Sequence, residues 1–136
     1  MSETGIGLIA ASHGNLAEAL VQTAEDVLGR SCKIMPFSFP PDETPKKSLA
    51  RLRELVKKQD QGRGVMILAD LFGGTPGTMA LSMLEEKSVE VVTGMNLPMV
   101  LIAASLEPDV GLSKAAEKLV QASRKSIRRA GELVGN

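Results

Sequence analysis

The chain holds a single histidine, His13, within LIAASHGNLAEAL (residues 8–20), where an apolar run gives way to helical periodicity. An imidazole can act as nucleophile, proton carrier or ligand, and its neighbours select among these roles. A carboxylate beside it would accept a hydrogen bond from one ring nitrogen and fix the tautomer, leaving the lone pair of the other nitrogen free to attack. It would also stabilise the cation that develops in the attack. Asp70, which closes the apolar run GRGVMILAD, is the candidate carboxylate. In the LFGGTP that follows, Gly73 and Gly74 permit close backbone approach and Thr75 offers a hydroxyl. The helix behind them would aim free N–H groups and a positive dipole end at the same place. A nucleophilic imidazole, an orienting carboxylate and an anion cradle together suit phosphoryl transfer to histidine.

Plainer readings exist for each part. A lone histidine can be structural or simply exposed, and an aspartate at a strand end can be a turn former. GGTPG lacks the lysine of a phosphate-binding P-loop, and no G-x-G-x-x-G follows the first apolar run. One histidine and one cysteine make no metal-ligand cluster, so neither a metal nor another cofactor is expected.

The elements that must position these residues alternate between two periodicities. IGLIAA (6–11) reads as a buried strand. Asn15 then caps a helix with Glu18 as its third residue, the apolar positions Leu16, Ala19, Leu20, Thr23 and Val27 follow helical spacing, and Gly29 stops it. CKIMPFSF (32–39) is a second strand. Thr44 and Pro45 read as cap and first residue of a helix buried along Leu49, Leu52, Leu55 and Val56. The strand ending at Asp70 is third, followed by a short helix capped at Thr75 that runs through Leu84. VEVVTG (89–94) is a fourth strand, and a helix begins near Pro98. Leu112, Ala115, Ala116, Leu119, Ser123, Ile127 and Ala130 fall on one face of a long terminal helix. The basic SRKSIRR (123–129) is its solvated face, with the docking of an acidic partner as the alternative.

Alternating β and α elements on short connections imply an α/β fold with a doubly wound, mainly parallel sheet and helices on both faces. In strand order 2-1-3-4 the first and third strands are neighbours, and their following helices lie on opposite faces. Ligands bind beyond the strand ends at such a switch point. His13 and Asp70 would then face each other there.

With 136 residues and 43% apolar composition, the chain is expected to form one domain over residues 1–136. Sixteen basic residues balance sixteen acidic ones, and there are three Phe and no Tyr or Trp. Nothing in this favours a nucleic-acid or membrane-surface partner. Cys32 is alone, so a reducing compartment fits, and its place in a strand suggests a buried apolar role. MSETG has no basic n-region, and MNLPMVLIAASL falls short of the roughly 20 residues of a membrane span, so a cytoplasmic protein is expected.

SHG after the first strand, LADLFGGTP after the third and VVTGMNLPM after the fourth resemble the mannose-family enzyme IIA domains of the bacterial phosphoenolpyruvate-dependent sugar phosphotransferase system (PTS). The resemblance runs over nearly the whole chain in the same order of elements. It implies that His13 is phosphorylated by the phosphocarrier HPr and passes the group to a histidine of an enzyme IIB domain, on a separate chain, during sugar uptake. Asp70 would hold the imidazole from its other nitrogen. Gly73, Gly74 and Thr75, with backbone from Leu71 and Phe72, would hold the phosphoryl oxygens. Asn96 and Pro98 would border the same crevice.

The resemblance also implies a homodimer, with a fifth strand exchanged between subunits, and contact with the membrane only indirectly, through the permease. Departures are the threonine at position 75, where the family usually has serine, Gly77 and Thr78 in place of Phe-Asn, and the helical reading of SIRRAGELV where the exchanged strand would lie. The alternative in function is a regulatory enzyme IIA-like module whose phosphorylation state controls a partner protein. A phosphoryl donor to dihydroxyacetone kinase and a nucleotide- or flavin-binding domain are the further readings.

Overall fold

A computed structural model describes residues 5–71, 74–86 and 88–135, with the backbone alone for 74–77. Four strands, β1 (Gly7–His13), β2 (Met35–Phe39), β3 (Val65–Ala69) and β4 (Val89–Thr93), form one sheet in the order β2-β1-β3-β4. All three pairings are parallel, and the order is the expected 2-1-3-4. The helices are α1 (Leu16–Leu28), α2 (Pro45–Gln59), α3 (Gly74–Ser82), α4 (Leu97–Ala103), α5 (Leu112–Lys125) and the short α6 (Ala130–Leu133), with a single 3-10 turn at Met83–Glu85.

Side chains alternate across a strand, so each strand feeds two cores. Leu8, Ala10, Met66, Leu68 and Val92 pack under α1, α4 and α5, against Ala17, Val21, Val100 and Leu119. Ile9, Ala11, Ile67 and Ala69 face the other way, onto Leu52 and Val56 of α2 and Ala80 of α3. Burial on both faces explains why β1 and β3 read as unbroken apolar runs. It also demands small residues where helix meets sheet. Gly7 is one, since a Cβ there would lie 2.3 Å from the backbone oxygen of Gln59 at the end of α2.

Thr44 accepts from Lys47 N–H at 3.2 Å with Pro45 at the first helical position, and Gly29 ends α1 in the left-handed region at φ 72°, both as the sequence indicates. Several local expectations need correction. The Asn15 side chain makes no capping bond. Ala17 N–H instead donates to the hydroxyl of Ser12, inside β1, at 2.7 Å. The buried face of α1 is Ala17, Val21 and Ala24, leaving Leu16 and Val27 exposed, because the helix approaches the sheet through its smaller residues.

The strand β2 begins only at Met35, since Lys33 adopts φ 58° and takes Cys32 and Ile34 out of the ladder, although both are buried. On α2, Leu52 and Val56 are buried, while Leu49 and Leu55 pack at the margin of the core. Helix α3 starts at Gly74, so Thr75 lies within its first turn rather than ahead of it.

The terminal helix does not continue through Ala130. It stops at Lys125, where Ser126 Oγ donates to Ser123 C=O at 2.6 Å and Arg128 Nε donates to Lys125 C=O at 2.8 Å. The apolar face ends with it, and Ile127 is exposed. Among the described residues beyond β4 there is no strand.

Candidate active site

The parallel ladder brings the two candidate residues together. Ala11 of β1 pairs with Ala69 of β3, and Asp70 N–H donates to Ala11 C=O at 3.2 Å, which carries Asp70 one step beyond its strand. There Asp70 Oδ2 accepts two hydrogen bonds from the same residue, one from His13 N–H at 3.0 Å and one from the imidazole Nδ1 at 2.8 Å. The histidine side chain is 50% exposed and the carboxylate only 8%. The aspartate is thus a fixed, desolvated partner to a ring that solvent and other proteins can reach.

Burial alone would push the Asp70 carboxyl up. The hydrogen bonds donated by the His13 ring and backbone lead the effects that outweigh it and hold the group below the usual carboxylate range. An ionised carboxylate can only accept, so Nδ1 carries the proton and Nε2 keeps its lone pair. The other Asp70 oxygen, Oδ1, is buried without a hydrogen-bond partner among the described residues.

Two hydroxyls hold the turn that follows His13. Ser12, fully buried, donates to His13 C=O at 2.9 Å. Ser38 of β2 donates to Gly14 C=O at 2.5 Å. Gly14 has φ 51°, a left-handed turn that glycine enters without penalty. The Ser38 carbonyl in turn accepts from Arg51 Nη2 at 2.9 Å. That guanidinium forks onto Glu43, with Nε–Oε2 at 2.9 Å and Nη2–Oε1 at 2.7 Å, and lies over the Phe37 ring at 4.4 Å. Ser12 stands in the SHG motif, but neither it nor Ser38 is given a role by the sequence alone.

The remaining expected residues are placed in part. Leu71 follows Asp70 directly and is exposed. Phe72 and Gly73 lie outside the described residues. Gly74 and Thr75 open α3, whose start is four residues past Asp70, and their side chains are likewise outside the description. The β4–α4 turn does border the crevice, because Met95 N–H donates to Ala69 C=O at 2.9 Å, next to Asp70. Asn96 is turned to structural use there, its Oδ1 capping α4 through Met99 N–H at 2.9 Å, with Pro98 in the first turn. A surface groove of about 820 Å³ between α1 and the edge strand β2 includes neither His13 nor Asp70. Among the described residues no cluster of three His, Cys, Asp or Glu could hold a metal ion, and no helix is long and apolar enough to cross a membrane.

Comparison with known proteins gives consistent matches. The family described as PTS system fructose IIA component, EIIA-man, matches residues 7–126. The PTS system sorbose-specific EIIA component of Lacticaseibacillus casei is 31% identical over 118 residues, covering 84% of this chain and 83% of that protein. The PTS system mannose-specific EIIAB component of Escherichia coli (strain K12) is 27% identical over 125 residues, covering 90% of this chain, and the chain spans 39% of that protein's length. The transcriptional regulatory protein LevR of Bacillus subtilis (strain 168) is 35% identical over 104 residues, 72% of this chain and 10% of LevR. Among solved structures, the mannose/sorbose specific IIA subunit from Enterococcus faecalis has a TM-score of 0.82 at 28% identity, covering 92% of this chain and 94% of that one.

Proposed function

The chain belongs to the EIIA-man family of PTS IIA components, and from that premise we propose that it is a phosphohistidine carrier with His13 as the acceptor. The observation that carries this reading is the 2.8 Å contact of Nδ1 with Asp70 Oδ2, which leaves Nε2 as the nucleophile on an exposed ring. In the step proposed, the Nε2 lone pair attacks the phosphorus of phospho-HPr nearly in line. The donor's P–N bond breaks and its electron pair returns to the donor imidazole. The positive charge gained by the His13 ring is balanced by Asp70, and the phosphoryl oxygens are received by the loop from Leu71 to Thr75 and the start of α3. The reverse geometry then delivers the group to a histidine of an enzyme IIB domain.

HPr and enzyme IIB are therefore the proposed partners, in the cytoplasm and as a homodimer. The membrane is touched only through the permease that IIB serves. The experiment is the intact mass after incubation with phosphoenolpyruvate, enzyme I and HPr, run beside His13→Ala. One acid-labile phosphoryl gain, absent from the variant, is the expected result. Labelling that persists in His13→Ala, or no gain from any phosphorylated HPr tried, defeats the assignment.

The match to LevR favours a second reading, in which phosphorylation of the same histidine controls a partner protein instead of feeding transport. Transfer of the label from His13 to a purified IIB domain separates the two. A carrier passes it on within seconds, and a regulatory module retains it.

A further inference from the structure

We propose that Ser12 and Ser38 are positioning residues for His13, clamping the two consecutive carbonyls of the His13–Gly14 turn from neighbouring strands. This rests on the reading of His13 as the phosphoryl acceptor. The Ser12 hydroxyl receives a hydrogen bond from Ala17 N–H at 2.7 Å, so its own proton goes to His13 C=O, 2.9 Å away. One buried hydroxyl therefore ties the histidine's carbonyl to the first turn of α1. On the other side Ser38 Oγ donates to Gly14 C=O, and the Ser38 backbone is itself tethered to α2 by Arg51. With His13 N–H held by Asp70, three backbone polar groups of the His13–Gly14 segment are gripped by side chains from three different positions in the sheet, Asp70 after β3, Ser12 in β1 and Ser38 in β2.

Satisfaction of the carbonyls alone does not require this. Gly14 is exposed, and water would bond its carbonyl equally well. What water does not supply is a fixed direction. Once the main chain on both sides of His13 is immobile, only χ1 and χ2 of the ring remain, and the contact with Asp70 sets those. Transfer between two imidazoles needs Nε2 aligned with the breaking P–N bond, and a displacement of about 1 Å costs on the order of 10²-fold in rate. The clamp also keeps two carbonyl dipoles from swinging their negative ends towards the incoming phosphoryl group.

The test compares Ser38→Ala, Ser12→Ala and the conservative Ser12→Thr with the unaltered chain. Two readouts are used: single-turnover transfer from phospho-HPr at several concentrations, and the ¹⁵N imidazole tautomer ratio at a pH where the ring is neutral. Each alanine variant is expected to lower the maximal rate about tenfold, with half-saturation unchanged. Each should also raise the share of the Nε2–H tautomer, and Ser12→Thr should restore both. Ser38 is partly exposed, so Ser38→Ala decides the matter even where Ser12→Ala fails to fold. Unchanged rate and tautomer ratio, with only a lowered Tm, would make both serines structural and overturn the proposal. If the unaltered chain takes no phosphoryl group, the carrier reading fails, and the tautomer ratio alone still decides the clamp.

Discussion

A single oxygen of Asp70, Oδ2, holds both the backbone N–H and the ring Nδ1 of His13, at 3.0 and 2.8 Å. The main chain and the side chain of the histidine are thus referred to one point, on a residue that the β1–β3 ladder itself fixes. A rotation of the imidazole about its own bonds breaks one contact, and a shift of the turn breaks the other. The carboxylate therefore sets position and tautomer together.

Replacing it should separate those effects. Asp70→Asn keeps the shape but loses the charge and offers an amide that can donate to Nδ1, which permits the wrong tautomer. Phosphoryl transfer to His13 is expected to slow by roughly 10²-fold or more, in the range of a lost proton-managing group. Asp70→Ala should be at least as slow. Single-turnover phosphorylation followed by quenched mass measurement reads this directly, and a rate equal to that of the unaltered chain would remove Asp70 from the mechanism.

The clamp on β2 has a pH signature. Hydrogen bonds from Arg51 and Ser48 bring Glu43 down to about 2 from an ordinary 4.5. A carboxyl whose pKa is lower in the folded state binds its proton more readily when unfolded. Its contribution is complete above about 4.5 and is lost as the pH falls towards 2. Urea midpoints of the unaltered chain and Glu43→Gln should therefore differ most at pH 5 and above, and converge as the pH falls through that window. A gap that stays constant with pH would show that the ion pair adds nothing when folded. Asp70 titrates in the same direction in both proteins, so the comparison isolates Glu43.

The parts of the site that were legible in the sequence are those set by strands buried on both faces. Ile9, Ala11, Ile67 and Ala69 are buried wherever they fall, and two unbroken apolar runs ending in His13 and Asp70 leave little choice about where those residues emerge. Helix α1 shows the opposite. Leu16, Thr23 and Val27 form one stripe, and Ala17, Val21 and Ala24 form another about 100° away. The larger residues made the first stripe look like the core, whereas the sheet accepts the second because alanines let the helix sit close.

Ser12 escaped notice because its partners, Ala17 N–H and His13 C=O, belong to a strand-to-helix turn that spacing does not describe. Ser38 lies 24 residues from Gly14, and only the folded sheet makes them neighbours. At the C-terminus, helical periodicity continues through Ile127 after the surface it could cover has ended at Ser123.

Cys32 should behave as a core residue. It is 4% exposed, and burial pushes its thiol above the ordinary value, so little thiolate is available near neutral pH. Reaction with a thiol reagent at pH 7.5 is expected to be far slower in the native protein than in denaturant. Equal rates would mean that the segment before β2 opens freely.

Glycines offer a paired test of packing against capping. At Gly7 an added Cβ would meet the Gln59 backbone, its oxygen at 2.3 Å and its carbon at 2.8 Å, and neither can move without shifting α2 against β1. Gly7→Ala should therefore destabilise the protein by about 1–3 kcal/mol, the usual range for overpacking. At Gly111 a Cβ meets nothing within 4 Å, and the backbone at φ −77° and ψ 158° is one that any residue adopts. Gly111 also occupies the N-cap of α5 without a side chain to accept an orphan N–H. Gly111→Ser supplies that acceptor and should stabilise by a few tenths of a kcal/mol. Denaturant midpoints at matched slope measure both, and the opposite signs are the point of the pair. The two glycines would respond in opposite directions because one is held by a neighbouring backbone and the other by nothing. A stabilised Gly7→Ala would mean that β1 and the end of α2 are not in contact.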